Sequence, residues 1–470
     1  MVQKPWKIFV TSALLASSSA ALALPFNSFD PRSMAMGGAG VAVGDAGMAP
    51  FFNPALLTVT REEDDFSLDL PIIGARVYDP SDFANSLDNF QNGNYVDTLQ
   101  TSIDTYNAAG GQTTVNLNAV AANTSTLSTQ FATLSDKPIQ AELGAGLVVG
   151  IPSKSFGGAF YANGWAAVGG VIKYRDNQTL QDFATASSTI ATTVNTSCGG
   201  TVNNNPTCLT ALSTLSTDPL VQQYFVVNTT GTPTVTANFN TTGTGTNTLK
   251  STVDIRGVGL AEVGLALSHE FGTGDAAWGL GITPKVVKVN LYEYSASVNS
   301  GSTSNATGSD YTAKYSHVNF DLGLARNYGN GWRAGLVVKN VIPHTYEFKN
   351  APTPGATPVP TGNTIKLKPQ ARIGASHSTS WSTVAMDLDL TTNDPAGLEN
   401  QSQYLALGAE LNAWDWAQLR LGYRANLKDS TRNVPSIGLG LAPFGVLHLD
   451  VGVAKSANEI GASARLAFTF

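Results

Sequence analysis

The sequence predicts an all-β protein: a transmembrane antiparallel up-and-down β-barrel of about fourteen strands, with an N-terminal plug segment in its lumen. Three observations carry this reading. Apolar and polar residues alternate with period two over much of the chain. The connections between these stretches alternate between short and mostly long. Tryptophans gather at one end of the stretches and tyrosines favour the other, as in the two aromatic girdles of a membrane barrel.

The alternation is cleanest near the C-terminus. In "WAQLRLGYRANL", Ala417, Leu419, Leu421, Tyr423, Ala425 and Leu427 share one face, and Gln418, Arg420, Gly422, Arg424 and Asn426 the other. In "VLHLDVGVA", Leu447, Leu449, Val451 and Val453 oppose His448, Asp450, Gly452 and Ala454. Fourteen stretches are predicted as strands: 65–78, 139–151, 159–175, 252–271, 276–295, 311–328, 331–348, 363–378, 381–393, 402–413, 416–427, 434–443, 446–455 and 460–470. Pro71, Pro284 and Pro369 interrupt them and mark expected bulges or kinks. Trp165, Trp278, Trp332, Trp381, Trp414 and Trp416 lie at or beside the short connections. Tyr78, Tyr174, Tyr292, Tyr294, Tyr311, Tyr346, Tyr404 and Tyr423 lie toward the other ends.

Composition fits an exported chain. Of 470 residues 42% are hydrophobic and 13% charged, and the net charge of −7 argues against a nucleic-acid surface. Lys4 and Lys7, the apolar run Ile8–Ala16 and Ala21-Leu22-Ala23 read as a secretory signal over residues 1–23, cleaved after Ala23. Beyond it no run of about 18 apolar residues occurs, so a membrane crossing falls to strands. In lipid such a sheet must close, because an open edge leaves backbone groups without partners. An even strand number places both ends on the periplasmic side, and the last strand, "ASARLAFTF", ends on Phe470 as the expected signal for barrel-assembly machinery.

Fourteen strands enclose more space than side chains alone fill. Residues 24–63, with "RSMAMGGAGVAVGDAGMAPFFNPALL", are the expected plug, and 64–470 the barrel. Phe51, Phe52, Asn53 and Pro54 are its candidate ligand contacts. A nucleotide loop is excluded here, since neither GxGxxG nor GK[ST] is present. The expected lumen-facing polar set includes Asp254, Arg256, Glu262, Asp321, Arg333, Lys339, Lys366, Lys368, Arg372, Asp387, Asp389, Glu410, Arg420, Arg424, His448, Asp450 and Arg465.

Two extracellular loops, 80–138 and 176–251, are long. The first carries helical spacing at Phe83, Leu87, Phe90, Leu99, Ile103, Tyr106, Leu117, Val120, Leu127, Phe131 and Leu134. The second is rich in Thr, Asn and Ser and reads as a lid for apolar ligands or as a shield. Cys198 and Cys208 are expected to form a disulfide, and with no nearby histidine they do not make a metal site. No catalytic set is expected: of five histidines, His448 has an acidic neighbour on its own face, Asp450, and no nucleophile is placed beside them. No cofactor is expected.

"RSMAMGGAGVAVGDAGMAPFFNPALL", with Asn53, Pro54 and Ala55, resembles the N-terminal hatch of FadL-like outer-membrane transporters. "GITPKVVKVNLYEY", "VVKNVIPHTYEF", "KLKPQARIG" and "MDLDLTTN" are similar to the branch known as conjugal-transfer TraF proteins. The resemblance implies a fourteen-stranded plugged barrel in the bacterial outer membrane, in contact with its lipid. It further implies passive passage of a hydrophobic small molecule, fatty-acid-like or hydrocarbon-like. The alternative is a structural or assembly role in a conjugation or secretion apparatus. TraF also names a thioredoxin-like plasmid protein, but this chain has no C-x-x-C, so redox chemistry is not implied.

Overall fold

The computed structural model describes residues 29–59, 65–111, 113–153, 155–241, 247–272, 277–298, 309–351, 355–393, 400–413 and 416–470. The predicted signal, residues 1–23, lies outside the described residues, as does Trp414.

In chain order the strands are β1 (Ser67–Tyr78), β2 (Ile139–Ile151), β3 (Phe156–Lys173), β4 (Phe225–Asn228), β5 (Thr234–Ala237), β6 (Thr252–Phe271), β7 (Trp278–Ser297), β8 (Thr312–Asn327) and β9 (Trp332–Lys339). Then come β10 (His344–Asn350), β11 (Val359–Leu367), β12 (Gln370–Ser378), β13 (Ser382–Asp389), β14 (Tyr404–Ala413), β15 (Ala417–Asn426), β16 (Val434–Leu441), β17 (Leu447–Lys455) and β18 (Glu459–Thr469). Fourteen of them close an antiparallel barrel in the order β1-β18-β17-β16-β15-β14-β13-β12-β9-β8-β7-β6-β3-β2. β1 pairs with both β2 and β18, so this sheet has no free edge. Both of β1's registers shift between Asp69 and Ile72, around the expected irregularity at Pro71.

The outward face is that of a membrane-embedded barrel. Ile73, Leu421, Ile437 and Val451 are each about half exposed (48–51%), and neighbouring outward positions are equally apolar. In water such a surface would be unfavourable; against lipid it is matched. On β7 the outward residues run Trp278, Leu280, Ile282, Pro284 and Val286, then turn polar at Lys288 and Asn290. On β8, Leu324, Leu322, Phe320 and Val318 give way to Ser316 and Lys314 at the same height, where Val286 pairs with Val318. Trp278, Trp332, Trp381 and Trp416 are exposed at the turn ends. Trp165 departs from the expected girdle: it is 1% exposed, on an inward position of β3, which begins at Phe156 and runs unbroken through Asn163-Gly164.

Two predicted strands are broken. The stretch 331–348 divides into β9 and β10, and 363–378 into β11 and β12. The chain leaves the wall at Asn340, whose φ of 55° ends strand geometry, and rejoins it after Pro369. Between these points β10 and β11 form a hairpin of their own, packed on the inner side of β6, β7 and β8. Tyr346, Phe348, Ile365 and Leu367 are buried there with Trp165, Val258, Leu260, Val287, Val289 and Leu291. Lys366 and Lys368 are consequently exposed on the hairpin rather than set in the barrel wall.

The long loops form a helical layer. The first supplies helices Phe83–Gly93, Tyr95–Ala108 and Thr114–Leu134, burying Leu99, Ile103, Tyr106, Leu117, Val120, Leu127 and Phe131. The second, read from its composition as a lid or shield, contains helices Asn177–Cys198, Pro206–Leu215 and Pro219–Tyr224 plus the β4–β5 hairpin. Leu180, Phe183, Ile190 and Val194 complete the same core. The Cys198–Cys208 disulfide ties the first two of its helices together. Phe83 and Leu134 rest on Ile172, Val253, Ile255 and Tyr294, joining this layer to the protruding strands.

Candidate functional site

Residues 29–59 lie among inward-facing side chains of most of the barrel strands. Local chemistry shapes this segment first. Asp30 caps the short helix Pro31–Ala35, accepting from the Ser33 amide at 2.8 Å. Asp45 accepts from the Met48 amide at 2.9 Å. Asn53 donates to the carbonyls of Val41 and Leu324, both at 3.0 Å, and accepts from the Ala55 amide at 3.1 Å. One side chain thus closes a turn and pins it to β8.

Glycines on the wall let the segment approach. A Cβ at Gly281 would stand 2.5 Å from the Ala55 nitrogen, and one at Gly408 would stand 2.5 Å from the Met36 Cβ. The close approach inferred from the segment's own glycines therefore depends as much on glycines of the strands.

Polar contacts hold it. Asp387 Oδ2 accepts from the amides of Gly40 (2.8 Å) and Val41 (2.9 Å). Ser376 Oγ donates to Ala42 O at 2.8 Å, and Lys339 Nζ to Phe51 O at 3.0 Å. Arg32 forms a two-pronged pair with Glu410 at 2.8 and 2.9 Å. Glu410 also accepts from Arg420 Nε at 2.6 Å, Arg420 pairs with Asp450, and Asp450 accepts from Arg465 at 2.8 Å. Arg465 returns to the segment through Asp45 at 3.2 Å.

The other sequence-predicted residues fall into separate groups. Glu262 and Asp321 hold Lys285 between them, at 2.8 and 2.9 Å. Arg372 pairs with Asp389 at 2.6 Å and donates to Gly38 O at 3.3 Å. Arg424 pairs with Glu459. Arg256 pairs with Glu293 at 2.7 Å, high on the barrel beside the hairpin, with its guanidinium 5.3 Å from the Phe348 ring centre. Arg76, Glu142, Lys285 and Glu459 join these groups but were not singled out in the sequence. Lys285 follows from the alternation of β7, whose reading Pro284 obscures; Glu459 lies one residue before the predicted strand. Buried charges of this kind need nearly complete pairing, and the network supplies most of it.

Phe51 and Phe52 are packed rather than open. Phe51 meets Tyr161 edge to face at 5.6 Å, and Phe52 is 1% exposed. Among the described residues two cavities flank the segment, and neither is lined by Phe51, Phe52, Asn53 or Pro54. One, of about 300 Å³, lies among Arg32, Val43, Gly44, Trp332, Arg333 and Ser376. The other, of about 20 Å³, lies among Met34, Gly38, Arg76, Arg372, Tyr404 and Arg424. His448 bonds Thr469 Oγ1 at 2.9 Å instead of Asp450. Among the described residues no group of three His, Cys, Asp or Glu side chains could hold a metal ion.

Residues 50–389 match the sequence profile of a family described as "F plasmid transfer operon, TraF, protein". The chain belongs to this family. No curated protein matches the TraF-family chain in sequence. Its barrel is similar to the Ralstonia pickettii toluene transporter TbuX, at 12% identity over 95% of this chain and 99% of that one, with a TM-score of 0.45. It is also similar to the monoaromatic hydrocarbon channel CymD, at 11% identity over 95% and 99%, TM-score 0.44. A Pseudomonas aeruginosa FadL homologue gives 9% identity over 96% and 99%, TM-score 0.43. These are likenesses of architecture for the TraF-family barrel.

Proposed function

We propose that this TraF-family protein is an outer-membrane conduit for passive uptake of hydrophobic small molecules, fatty-acid-like or hydrocarbon-like, with residues 24–63 as its stopper. The supporting observation is the inner lining above the charged groups. Trp165, Val258, Leu260, Val287, Val289 and Leu291 face inward and are covered by the β10–β11 hairpin and by Phe29 and Met34 of the leading segment. A water-filled pore has a polar lumen; an apolar inner wall suits an apolar cargo. Phe51 and Phe52, being buried, meet cargo once the segment shifts; Asn53 and Pro54 set its turn. Of the polar residues, Arg372 and Asp387 bond the segment directly and Arg420 and Asp450 through Glu410 and Arg465, while Arg256, Glu262, Asp389 and Arg424 pair within the wall; in this reading none of them binds cargo. Phe470 closes the last strand and offers the barrel-assembly signal.

The test is uptake of labelled long-chain fatty acid and of toluene by a deletion strain and its complemented parent. Faster uptake on complementation is expected. Equal rates, together with co-purification of envelope partners, would replace this reading with the assembly role.

A further inference from the structure

We propose that the apolar face beneath the β10–β11 hairpin is the cargo-binding site, and that the hairpin is its gate, lying in the cargo's own place until it swings away. This rests on the conduit reading and adds where the cargo sits and what competes with it. Wall strands are joined to their neighbours by backbone ladders, whereas β10 and β11 ladder with each other alone. A lone two-stranded sheet is marginal in water and depends on what it packs against. Here that is the inner face of β6 and β7, where Tyr346, Phe348, Ile365 and Leu367 are buried with Val258, Leu260, Val287, Val289 and Leu291. The rest of β11 adds no second core, since Val359 through Thr364 are exposed. Apolar contact has no directionality. An apolar molecule laid on β6 and β7 therefore restores the burial that a departing hairpin removes.

The attachments change in kind from the base of the hairpin to its far end. At the base the chain is pinned to β8. Asn340 N donates to Asp321 Oδ1 at 2.7 Å, Val341 N to Phe320 O at 3.0 Å and Ile342 N to Asn319 Oδ1 at 3.0 Å, while Asn319 Nδ2 donates to Ile342 O at 2.9 Å. Farther along, the polar ties run through individual residues. Tyr315 Oη donates to Glu347 O at 2.7 Å and accepts from Glu347 N at 3.2 Å. Glu293 of β7 accepts from Thr361 Oγ1 at 2.7 Å and from Asn363 Nδ2 at 2.8 Å, and Arg256 holds its carboxylate at 2.7 Å. Asp310, in the turn before β8, accepts from the amides of Ala351 at 2.6 Å and Gly355 at 2.8 Å. Thr361, Asn363 and Gly355 are exposed, so water competes for these bonds and each contributes little net stability. A pinned base, a lightly tied far end and an apolar underside are the parts of a flap, and Glu293 is its latch to the wall.

The experiment exploits the thiols. Cys198 and Cys208 are joined to each other, so introduced cysteines can be bridged selectively. Glu293→Cys with Thr361→Cys removes the latch, and a short two-armed methanethiosulfonate reagent restores it covalently. Toluene uptake is compared in the deletion strain and in strains complemented with the parent or the cysteine pair. The unbridged pair is expected to take up toluene about fivefold faster than the parent. Bridging is expected to bring it down to the deletion level, and a one-armed reagent is not. A second measurement keeps the latch intact and decides if the pair fails to fold. Nitroxides on Lys314→Cys and Thr364→Cys, both exposed positions, are read by double electron–electron resonance in lipid vesicles. A second, longer distance whose share grows with added toluene is expected. Uptake by the parent equal to that of the deletion strain would remove the conduit reading and the gate with it. Uptake by the parent that bridging the pair leaves unchanged, or a single distance indifferent to toluene, would overturn the gate and leave the conduit standing.

Discussion

Arg32 and Glu410 are 378 residues apart in sequence, yet the guanidinium of one forks both oxygens of the other, at 2.8 and 2.9 Å. This pair joins the leading segment to β14, and Arg420 shares the same carboxylate. Glu410→Gln keeps the shape but leaves two arginines competing for a neutral amide. The expected loss is roughly 2 kcal/mol of local stability, about thirtyfold in segment opening. Limited proteolysis between residues 37 and 44 reads it: cleavage accelerates while heat-modifiable migration of the barrel stays unchanged.

Gly281 faces the backbone of Pro54 and Ala55 with no room for a side chain. Gly281→Val is expected to push residues 53–57 off β7 at a cost of roughly 1–3 kcal/mol. A spin label at Thr58 would then report a broadened environment. The conservative exchange Gly355→Ala, on the hairpin loop where an added Cβ meets nothing within 4 Å but φ is +79°, is expected to leave that label unaffected.

The Cys198–Cys208 disulfide stabilises the helical layer and not the wall. It closes a ten-residue separation between helices whose core is built from loop residues. Cys198→Ser is expected to cost that layer about 2–3 kcal/mol. Differential scanning calorimetry should show the earlier helical transition moving down while the barrel transition holds. A shift of both together would mean the two unfold as one unit.

Asp429 provides a pH-dependent contact on the outer surface. Burial alone would raise its pKa, but hydrogen bonds from Thr431 and Asn400, with Arg432 nearby, outweigh that and hold it below its ordinary value of 3.8. A carboxylate depressed in the folded state contributes stability above its unfolded pKa and loses it as pH falls through the folded value. The turn Ser430–Arg432 is therefore expected to loosen in acid, below about pH 4, with faster amide exchange at Thr431. In Asp429→Asn that acid-dependent change should disappear.

Much of the wall was legible because lipid imposes a strict rule. Every outward position within the hydrocarbon layer must be apolar and every backbone group there paired, so period two persists through β13 to β18 and the girdle tryptophans mark one end. The helical layer was partly legible. Leu99, Ile103 and Tyr106 show helical spacing plainly, whereas Leu180, Phe183, Ile190 and Val194 carry the same spacing among Thr and Ser residues that mask it. The hairpin was not legible. Tyr346 and Ile365 alternate as wall residues would, and alternation does not distinguish a strand in the wall from one folded inside it.

The sequence by itself determined a closed, lipid-facing cylinder of fourteen strands, the place of the disulfide and the candidate stopper, since these follow from local periodicity and from a solvent that tolerates few alternatives. Tertiary structure alone decided which charges meet. Arg32 with Glu410, Asp387 with the Gly40 and Val41 amides, and Arg76 with Glu459 are matched across hundreds of residues by barrel closure and strand register. No local pattern encodes such distances, because an inward charge states only that it needs a partner and not which one it will find.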